Sequence, residues 1–590
     1  MNTPGLDTAP PLTVDEEREV EQLYEERADH LDLETFPNNT ALTDDSEEWI
    51  RSLTGTGAKL LVGPRGCGKT HLMRFAFSRC IAESEHPFAV YTNLNRYYTL
   101  EPLLRRRPDA MSTFYVWVLA NIVVGLHESI EAYTAASADQ SIDMGGLLDF
   151  DQTEVRDLIG ALERNHPLGP KLEAVASRLS IDRVKLLLIR SADAFARRRV
   201  VLLLDDAALT LTPEYLSHFF DIYRALKASR IAPKASVYPG TTEYGPNFHA
   251  GHEADTVFVW KRVTDHNYLT FMQDIGAKRF PDLAQIPEEI CALLAYSAFG
   301  IPRAYMTLVR SYLKHQKSTA TAQSTFNVAI EEFLEDRMRE YMTLREKKPQ
   351  FSSIVDVGRR LFDNMVKSVV EANQLLLDEK TRQLNIGIDA SGVDDKPYVQ
   401  RMLLLLEEVG LVYSRSGVSH GDRDYQRYVP HLAAVQSQRA FTRKGGFSPK
   451  FAIEMLSRPD EKHPVRRSIS TLLDAATLNG LGLDLPNCLN CQTKRVEGAK
   501  YCYYCGEKLT DESTYDRLML TALAGVPGLT QWQRDKLSSW ESVPKTVGEF
   551  IALQDPGTAL RTIPRVGKIR AKETLINSAW RSSLTRPRAL

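Results

Sequence analysis

The sequence predicts an α/β fold, in which a parallel sheet carries a phosphate-binding loop and smaller modules follow. Five short apolar segments alternate with stretches of helical periodicity, a pattern typical of a parallel sheet whose faces are both covered by helices. A glycine-rich octapeptide at residues 63–70 joins the first of these segments to a helix. The strands are predicted at residues 59–62, 88–91, 200–204, 235–238 and 255–259.

Length and composition predict a soluble chain of several domains. The 590 residues exceed the roughly 250–300 residues at which a single hydrophobic core stops growing. A hydrophobic fraction of 43% and a charged fraction of 25% are ordinary for a globular protein. The first residues lack the features of a signal peptide, and the longest apolar run, residues 114–126, is shorter than the ~20 residues that span a bilayer. We therefore expect a cytoplasmic protein without a membrane partner.

Charge and periodicity divide the chain into six expected regions. Acidic residues crowd its beginning, whereas residues 561–588 hold eight basic residues and one acid. After about residue 310 a long helical stretch, a short strand, a second helix and two strands around a polar turn describe a helical lid and a winged helix. The regions are an acidic segment at 1–50, an α/β core at 51–310 with a helical insertion at about 100–198, the lid and winged helix at 311–435, a basic connecting segment at 436–485, a cysteine module at 486–510, and a helical domain with a basic tail at 511–590.

The octapeptide matches the pattern Gly-x4-Gly-Lys-Thr of a P-loop in full. Its glycines let successive backbone N–H groups point at phosphate oxygens, Lys69 supplies a cation near the β and γ phosphates, and the Thr70 hydroxyl can bind magnesium. The helix that begins there adds its positive N-terminal dipole. The residues expected to bind the nucleotide are Gly63, Pro64, Arg65, Gly66, Cys67, Gly68, Lys69, Thr70 and His71.

Two acids follow the strand at residues 200–204. An acid at the end of a buried strand is where a Walker B group lies, so Asp205 is expected to reach Mg²⁺ directly or through water. Asp206 follows it directly. Together with the P-loop, the pair predicts an ATPase that uses ATP and Mg²⁺.

Over roughly residues 50–435 the sequence resembles the AAA+ and STAND groups of P-loop ATPases, particularly the origin-recognition-like branch. The resemblance implies a sensor 1 strand end at residues 237–242, where Thr242 monitors the γ-phosphate, and a sensor 2 motif at residues 300–303, which aims Arg303 at the phosphates. Many members of that group have glutamate at the position of Asp206, so the resemblance implies that Asp206 polarises the attacking water. Aspartate is one methylene shorter, which favours slow hydrolysis and a switch over a motor.

Arginine is absent between Thr242 and Lys261, where an arginine acting on a neighbouring subunit is often found in that group. Arg230 and Arg262 flank the gap and could substitute. The sequence therefore does not decide whether the protein forms a homo-oligomer. It does not favour hydrolysis that is completed by an arginine of a neighbouring subunit.

Four cysteines form two Cys-x2-Cys pairs separated by ten residues: Cys488, Cys491, Cys502 and Cys505. Four thiolates at this spacing suit tetrahedral structural zinc. They leave no open coordination position, so catalysis by this Zn²⁺ is not expected. The segment resembles a zinc ribbon, and such ribbons bind nucleic acid or dock proteins.

Residues 526–530 and 563–567 are two hairpin-like turns between helical patterns. They resemble the halves of a tandem helix-hairpin-helix domain at about residues 512–582, although Thr530 and Arg565 replace a glycine of each turn. The resemblance implies contact with the DNA backbone, weakly sequence-specific and salt-sensitive; a protein-binding role is the alternative. The DNA-contact candidates are Arg565, Gly567, Lys568, Arg570 and Lys572. Arg423 and Arg427 in the wing are further phosphate contacts, whereas helix 399–408 is expected to pack on the lid.

The full expected fold class is therefore an α/β P-loop sheet with a helical lid and a winged helix, followed by a small zinc ribbon and an all-α helix-hairpin-helix domain. The leading functional hypothesis is an ATP-hydrolysing switch that associates with DNA or a DNA-bound complex. The alternative is a STAND-like signalling or defence ATPase whose nucleotide state gates assembly with a protein effector. A third is a nucleotide-binding scaffold without turnover.

Overall fold

The computed structural model describes most of the chain from residue 36 onward. The described residues are 36–96, 100, 103, 108–137, 147–207, 213–316, 321–444, 446–488, 490–496, 499, 501–507, 509, 522–525, 529–540, 545–551, 556–567 and 570. Residues 1–35 of the expected acidic segment lie outside them, as do the DNA-contact candidates Lys568 and Lys572.

Nine strands and twenty-two α-helices are described. The strands are β1 Lys59–Val62, β2 Phe88–Asn93, β3 Val200–Asp205, β4 Ile231–Val237, β5 Asp255–Phe258, β6 Ile386–Asp389, β7 Val412–His420, β8 Arg423–Pro430 and β9 Val465–Arg467. The helices are α1 Asp44–Thr54, α2 Lys69–Ala82, α3 Ala110–Ala136, α4 Gln152–Glu163, α5 Pro170–Arg178, α6 Ile181–Ala194, α7 Pro213–Leu226, α8 Tyr268–Arg279, α9 Glu288–Ser297, α10 Pro302–Gln316, α11 Ala322–Met342, α12 Leu344–Lys347, α13 Ser352–Leu375, α14 Ser391–Asp394, α15 Pro397–Glu408, α16 Leu432–Ser437, α17 Pro449–Ser457, α18 Ile469–Leu472, α19 Ala475–Asn479, α20 Gln531–Ser538, α21 Val547–Ile551 and α22 Pro556–Leu560. Short 3₁₀ turns occupy Pro281–Gln285, Pro349–Phe351 and Leu523–Gly525.

Strands β1 to β5 form one parallel sheet in the order β2-β3-β4-β1-β5. Every residue of β3 is buried, as expected for a strand covered on both faces. Because β4 lies between β1 and β3, the loops that follow these three strands meet at one edge of the sheet. That edge holds both the glycine-rich octapeptide and the two acids.

Strand β4 begins at Ile231, four residues before the start that the sequence predicts. Pro233 and Lys234 interrupt the apolar pattern there and conceal the first half of the strand. Lys234 is nevertheless fully buried, because its Nζ donates to the carbonyl oxygens of Gly55 at 2.9 Å and Gly57 at 2.6 Å. Paired in this way, the ammonium is accommodated inside the sheet layer.

Helices α3 to α6 lie between β2 and β3 in the chain. In the part of the chain that the structure describes, α3 is the one helix long and apolar enough to cross a membrane. Its buried residues include Trp117, Ile122 and Leu126, and the helix packs on β2 and α4. Packing inside the fold therefore accounts for its apolar composition.

Helices α8 to α13 share a second, larger core with the four-stranded sheet β7-β8-β6-β9. The sequence predicts a connecting segment at residues 436–485, but β9 within it pairs in parallel with β6. Ala452, Met455 and Ile469 of the same segment are buried in the larger core. The short strand Val465–Arg467 carries two arginines, so its composition does not reveal its place in the sheet.

The described C-terminal elements α20, α21 and α22 enclose a small separate core. Its buried side chains are Leu523, Leu529, Leu537, Val547, Phe550, Leu560, Ile563 and Val566. Ile563 and Val566 belong to the second predicted hairpin-like turn and anchor it to this core.

Candidate nucleotide-binding site

The glycine-rich loop leaves β1 and enters α2, which begins at Lys69. Gly66 and Gly68 have φ values of +85° and +99°, a left-handed conformation that favours glycine over any residue with a Cβ. The first N–H groups of an α-helix have no partner within the helix, so this loop directs free donors and the positive end of the helix dipole to one place. Those are the groups that bind a phosphate.

Lys69 lies folded into the loop. Its Nζ donates to the carbonyl oxygens of Gly63 at 2.7 Å and Pro64 at 3.0 Å, and lies 4.1 Å from the centroid of the Tyr238 ring. Burial lowers the pKa of Lys69, while Cys67 and the two acids Asp205 and Asp206 oppose that shift. The ammonium is therefore held in a site whose negative partners are carboxylates across the loop.

Asp205 is fully buried at the end of β3, and both of its carboxylate oxygens accept hydrogen bonds. Ser236 Oγ donates to Oδ1 at 2.8 Å, and the Tyr91 hydroxyl donates to Oδ2 at 3.0 Å. A buried carboxylate with two hydroxyl donors is oriented and compensated. Burial raises the pKa of Tyr91, and the neighbouring Asp205 adds to that rise.

Asp206 has a φ of +52°, which is unusual for a residue other than glycine. Its N–H donates to Ser236 Oγ at 2.8 Å, and the Tyr238 hydroxyl donates to its Oδ1 at 3.4 Å. The left-handed conformation turns the chain at Asp206 away from the direction of β3. A strained residue of this kind, held by its surroundings, is typical of functional sites.

Of the residues at the end of β4 and in the loop after it, Ser236 and Tyr238 contact the acids, whereas Thr242 contacts the backbone of Tyr238. Thr242 Oγ1 accepts the N–H of Tyr238 at 3.0 Å and so fixes the turn that presents the Tyr238 ring. Sequence reasoning missed Ser236 because a serine inside a buried strand has no characteristic spacing. The one feature of the sequence that could have indicated its role is a polar residue near the carboxyl end of a predicted strand.

Arg303 lies beside the loop at the first turn of α10. Its N–H donates to the carbonyl oxygen of Gly66 at 3.4 Å, so the lid helix begins directly against the P-loop backbone. His71 lies on the other side, where its Nε2 is 2.8 Å from Thr40 Oγ1 and its ring lies 4.4 Å from Phe36. Burial lowers the pKa of His71, and Arg279 and Arg74 lower it further. His71 therefore packs as a neutral ring.

Helix α15 closes a further side of the site. The Arg65 N–H donates to the carbonyl oxygen of Glu408 at 3.0 Å, and the Arg65 guanidinium lies 3.5 Å from the Glu408 carboxylate. Arg401 Nη1 donates to the carbonyl oxygen of Gly240 at 2.8 Å. The helix that was expected to pack on the lid thus also contacts two loops of the nucleotide site.

The two arginines that flank the gap in the sequence are both engaged within the chain. Arg230 forms an ion pair with Asp193, with Nη1 3.3 Å from Oδ2, just before β4 begins. Arg262 Nε donates to the Tyr413 hydroxyl at 2.6 Å and so joins the β5 side of the core to β7. These contacts direct neither arginine side chain towards Asp205 or Asp206 of the same chain.

The four paired cysteines come together in space. The Sγ atoms of Cys488 and Cys505 are 3.5 Å apart, as are those of Cys491 and Cys502, and all four lie within 4.8 Å of one another. Four thiolates at about 2.3 Å from a tetrahedral zinc ion would be separated by about 3.8 Å. The donor set and its spacing fit structural Zn²⁺.

The described part of the second hairpin-like turn exposes its polar residues. Arg565 and Gly567 are exposed while Ile563 and Val566 are buried. Arg570 Nη1 donates to the carbonyl oxygen of Arg565 at 3.0 Å. In the β7–β8 hairpin, Arg423 is exposed, whereas Arg427 Nε donates to the carbonyl oxygen of Ser416 at 2.7 Å.

No protein-family model and no curated protein matches this chain. Solved structures overlap it in part, among them the following three. A Walker-type ATPase of Pyrococcus abyssi is 14% identical with a TM-score of 0.36, covering 67% of this chain and 95% of its own. The ORC1 protein of Aeropyrum pernix in complex with DNA is 14% identical with a TM-score of 0.28, covering 68% and 93%. Drosophila ORC bound to DNA is 13% identical with a TM-score of 0.29, covering 74% and 96%. At these TM-scores the likenesses carry no argument about function. The functional argument rests on the residues of this chain.

Proposed function

We propose that the chain is an ATP-binding and ATP-hydrolysing molecular switch of the P-loop class, of the kind found in the origin-recognition-like branch of AAA+ ATPases. The observation that carries the proposal is the convergence of Lys69, Asp205 and Asp206 at the carboxyl edge of one parallel sheet. Burial lowers the pKa of Lys69 while both acids oppose that shift, so the three groups interact electrostatically. A cation, a glycine-rich loop that leads into a helix N-terminus and two acids are the parts that phosphoryl transfer requires.

Magnesium would be held by Thr70, at the start of α2, and by Asp205. The carboxylate oxygens of Asp205 already accept from Ser236 and Tyr91, so its orientation is fixed before any cation is bound. Mg²⁺ prefers such oxygen ligands and neutralises charge on the phosphates. The site residues therefore fit the ion.

Asp206 is the residue proposed to orient the attacking water, and Arg303 the one proposed to act on the phosphates from the lid. Asp206 is positioned through Ser236 and Tyr238, whereas Arg303 is anchored by its backbone at Gly66. Because aspartate reaches less far than glutamate, slow turnover is expected. This favours a switch, in which bound nucleotide matters more than the rate of its consumption.

The deciding experiment measures ATP binding and phosphate release by the full chain. Lys69→Ala should abolish binding, and Asp206→Asn should bind ATP but release phosphate at background level. Lys59→Ala is the matched control, because Lys59 begins the same strand β1 and pairs with Asp255 away from the loop. Wild-type binding that Lys69→Ala leaves intact would reject the proposed site. Equal background release by wild type and Asp206→Asn would instead favour a scaffold without turnover.

We further propose that the switch associates with the DNA backbone through the C-terminal helical region. The exposed Arg565 and Arg570 at one turn of this region support that role. Binding of duplex DNA should weaken steeply as salt rises, because phosphate contacts release counterions. The double variant Arg565→Ala, Arg570→Ala should lower affinity, while Arg561→Ala on the same small domain serves as control.

No DNA binding by wild type at low salt would leave the alternative of a nucleotide-gated protein that assembles with an effector. The zinc module would then be a docking element, and a homo-oligomer would be one form of the assembly. Stimulation of phosphate release by DNA would separate the two functions, because only the first requires DNA to communicate with the nucleotide site.

A further inference from the structure

We propose that helix α15 competes with nucleotide for the P-loop, so that ATP binding and the docking of α15 oppose each other. This inference rests on the proposed nucleotide-binding function and specifies how the same site is regulated. It is carried by three features of α15: contacts to two loops of the site, a buried carboxylate beside the P-loop, and membership of the second core.

The first feature is that α15 contacts both loops by hydrogen bonds to their backbone groups, one from its main chain and one from a side chain. At its C-terminal end the Glu408 carbonyl oxygen accepts the Arg65 N–H at 3.0 Å. About two turns earlier, Nη1 of the Arg401 side chain donates to the Gly240 carbonyl oxygen at 2.8 Å. A Cβ on Gly240 would lie 2.7 Å from the carbonyl oxygen of Leu404, so the helix and the loop after β4 approach closely enough to exclude any larger residue.

The second feature is the Glu408 side chain, which is completely buried. Its Oε1 lies 3.5 Å from Arg65 Nη2, and its Oε2 has no hydrogen-bond partner among the described residues. A buried carboxylate oxygen without a donor is costly. The docked arrangement therefore contains a destabilising group at the point where it meets the P-loop.

The position of this carboxylate determines the sign of the coupling. A nucleoside triphosphate would bring several negative charges to a site that already holds Asp205 and Asp206. Glu408 is close enough to add to the rise in the pKa of Tyr238, whose ring lies over Lys69. Like charges brought together away from water repel strongly. Docked α15 therefore raises the free energy of the nucleotide complex.

Arg65 makes the competition direct, because its N–H and its guanidinium both serve Glu408 in the docked arrangement. A phosphate oxygen that took the guanidinium would leave the buried Glu408 carboxylate without its cation, and one that took the N–H would break the hydrogen bond to the Glu408 carbonyl oxygen. Breaking a buried ion pair by removing one partner is strongly destabilising. A bound nucleotide and docked α15 therefore compete for the hydrogen bonds and the charge of Arg65.

The third feature tells which part of the molecule responds. Val399, Met402, Leu403 and Leu406 of α15 are buried in the second core together with α10 and the four-stranded sheet. Undocking of α15 would therefore be transmitted to this core, while the contact between Arg303 and Gly66 keeps α10 at the P-loop. The β7 contact in which Arg262 donates to Tyr413 spans the same boundary and would change with it.

The experiment measures the affinity of the full chain for a fluorescent, non-hydrolysable ATP analogue with Mg²⁺. Glu408→Gln keeps the size of the side chain and removes its charge, so affinity should rise about five-fold or more, within the usual range of coupling between sites. Arg401→Ala removes the separate contact to Gly240 and should also raise affinity. Glu407→Gln is the matched control, because its carboxylate accepts from Ser414 N–H and Oγ, away from the P-loop.

Two outcomes would overturn the inference. Unchanged or weaker nucleotide binding by both Glu408→Gln and Arg401→Ala would show that docked α15 does not oppose nucleotide. If Glu408→Gln does not fold, the result for Arg401→Ala decides alone. Wild type that binds no nucleotide, or binds it equally with Lys69→Ala, would reject the proposed function and this inference with it, so the two failures are distinguishable.

Discussion

The Ser236 hydroxyl donates to Asp205 Oδ1 at 2.8 Å while it accepts the backbone N–H of Asp206 at the same distance. One hydroxyl on β4 thus fixes both acids at the end of β3. The relationship makes β4 an active part of the site, because a shift of this strand would turn the two carboxyl groups together.

Ser236→Ala should lower phosphate release by roughly ten- to hundred-fold, since a hydrogen bond to a charged group contributes about 1.5–3 kcal/mol. ATP affinity should change little, because Ser236 does not belong to the P-loop. Tyr91→Phe is the comparison: it removes the other donor to Asp205 but leaves Asp206 held. Turnover that equals the wild-type rate in Ser236→Ala would contradict the positioning role.

Trp117→Ala should destabilise the protein by about 3–5 kcal/mol. Trp117 is 1% exposed on α3, and its Nε1 donates to Glu163 Oε1 at 3.3 Å on α4. Leu186→Ala on α6, where the side chain is 38% exposed, should cost much less. Thermal unfolding of the two variants checks the prediction, and equal midpoints would mean that the apolar face of α3 is not core.

The purified chain should contain about one zinc ion, because four thiolates saturate a tetrahedral site. Cys491→Ser should lose the metal, whereas Cys291→Ala should retain it, since Cys291 is buried in α9 far along the chain from the paired cysteines. Metal analysis after extensive dialysis measures both. Retention of a full equivalent by Cys491→Ser would argue against the four-cysteine site.

Stability should fall between pH 6.5 and pH 5, in part because of His431. Complete burial, with Arg337 nearby, lowers the pKa of this ring to about 3 from an ordinary 6.5. The unfolded chain takes up a proton in this range that the folded chain does not, which removes about 1.6 kcal/mol of stability over the 1.5 pH units.

His431→Asn isolates the effect of this ring, because Nδ1 of His431 accepts the Ala433 N–H at 3.2 Å at the start of α16 and asparagine is also a good helix cap. Urea midpoints at the two pH values should differ less in the variant than in wild type. Identical differences would show that His431 does not contribute to the pH dependence.

The sequence predicts the sheet and the P-loop well because their signals are local. Apolar runs locate all five strands, and the loop is confined to eight residues. The beginning of β4 is hidden by Lys234, whose burial depends on the carbonyl oxygens of Gly55 and Gly57. A sequence contains no mark of such a distant acceptor.

The parts of the site that escaped prediction depend on contacts between distant segments. Tyr238 contributes by covering Lys69, a role that its place in a sensor-like segment does not specify. Glu408 is an acid at the end of an apolar helix, and its local sequence does not predict that its side chain is completely buried. Topology, and no local pattern, brings these residues to the P-loop.

The contact between Arg65 and Glu408 joins residues 343 positions apart, which has a consequence for how the protein is made. While the chain is being synthesised, the P-loop and its sheet leave the ribosome long before α15 exists, and domains generally fold as units from the N-terminus. The nascent core must therefore remain soluble with its loop uncovered. Nucleotide bound during this interval would stabilise the nascent core. Once α15 has been synthesised, it would compete with that nucleotide for the P-loop.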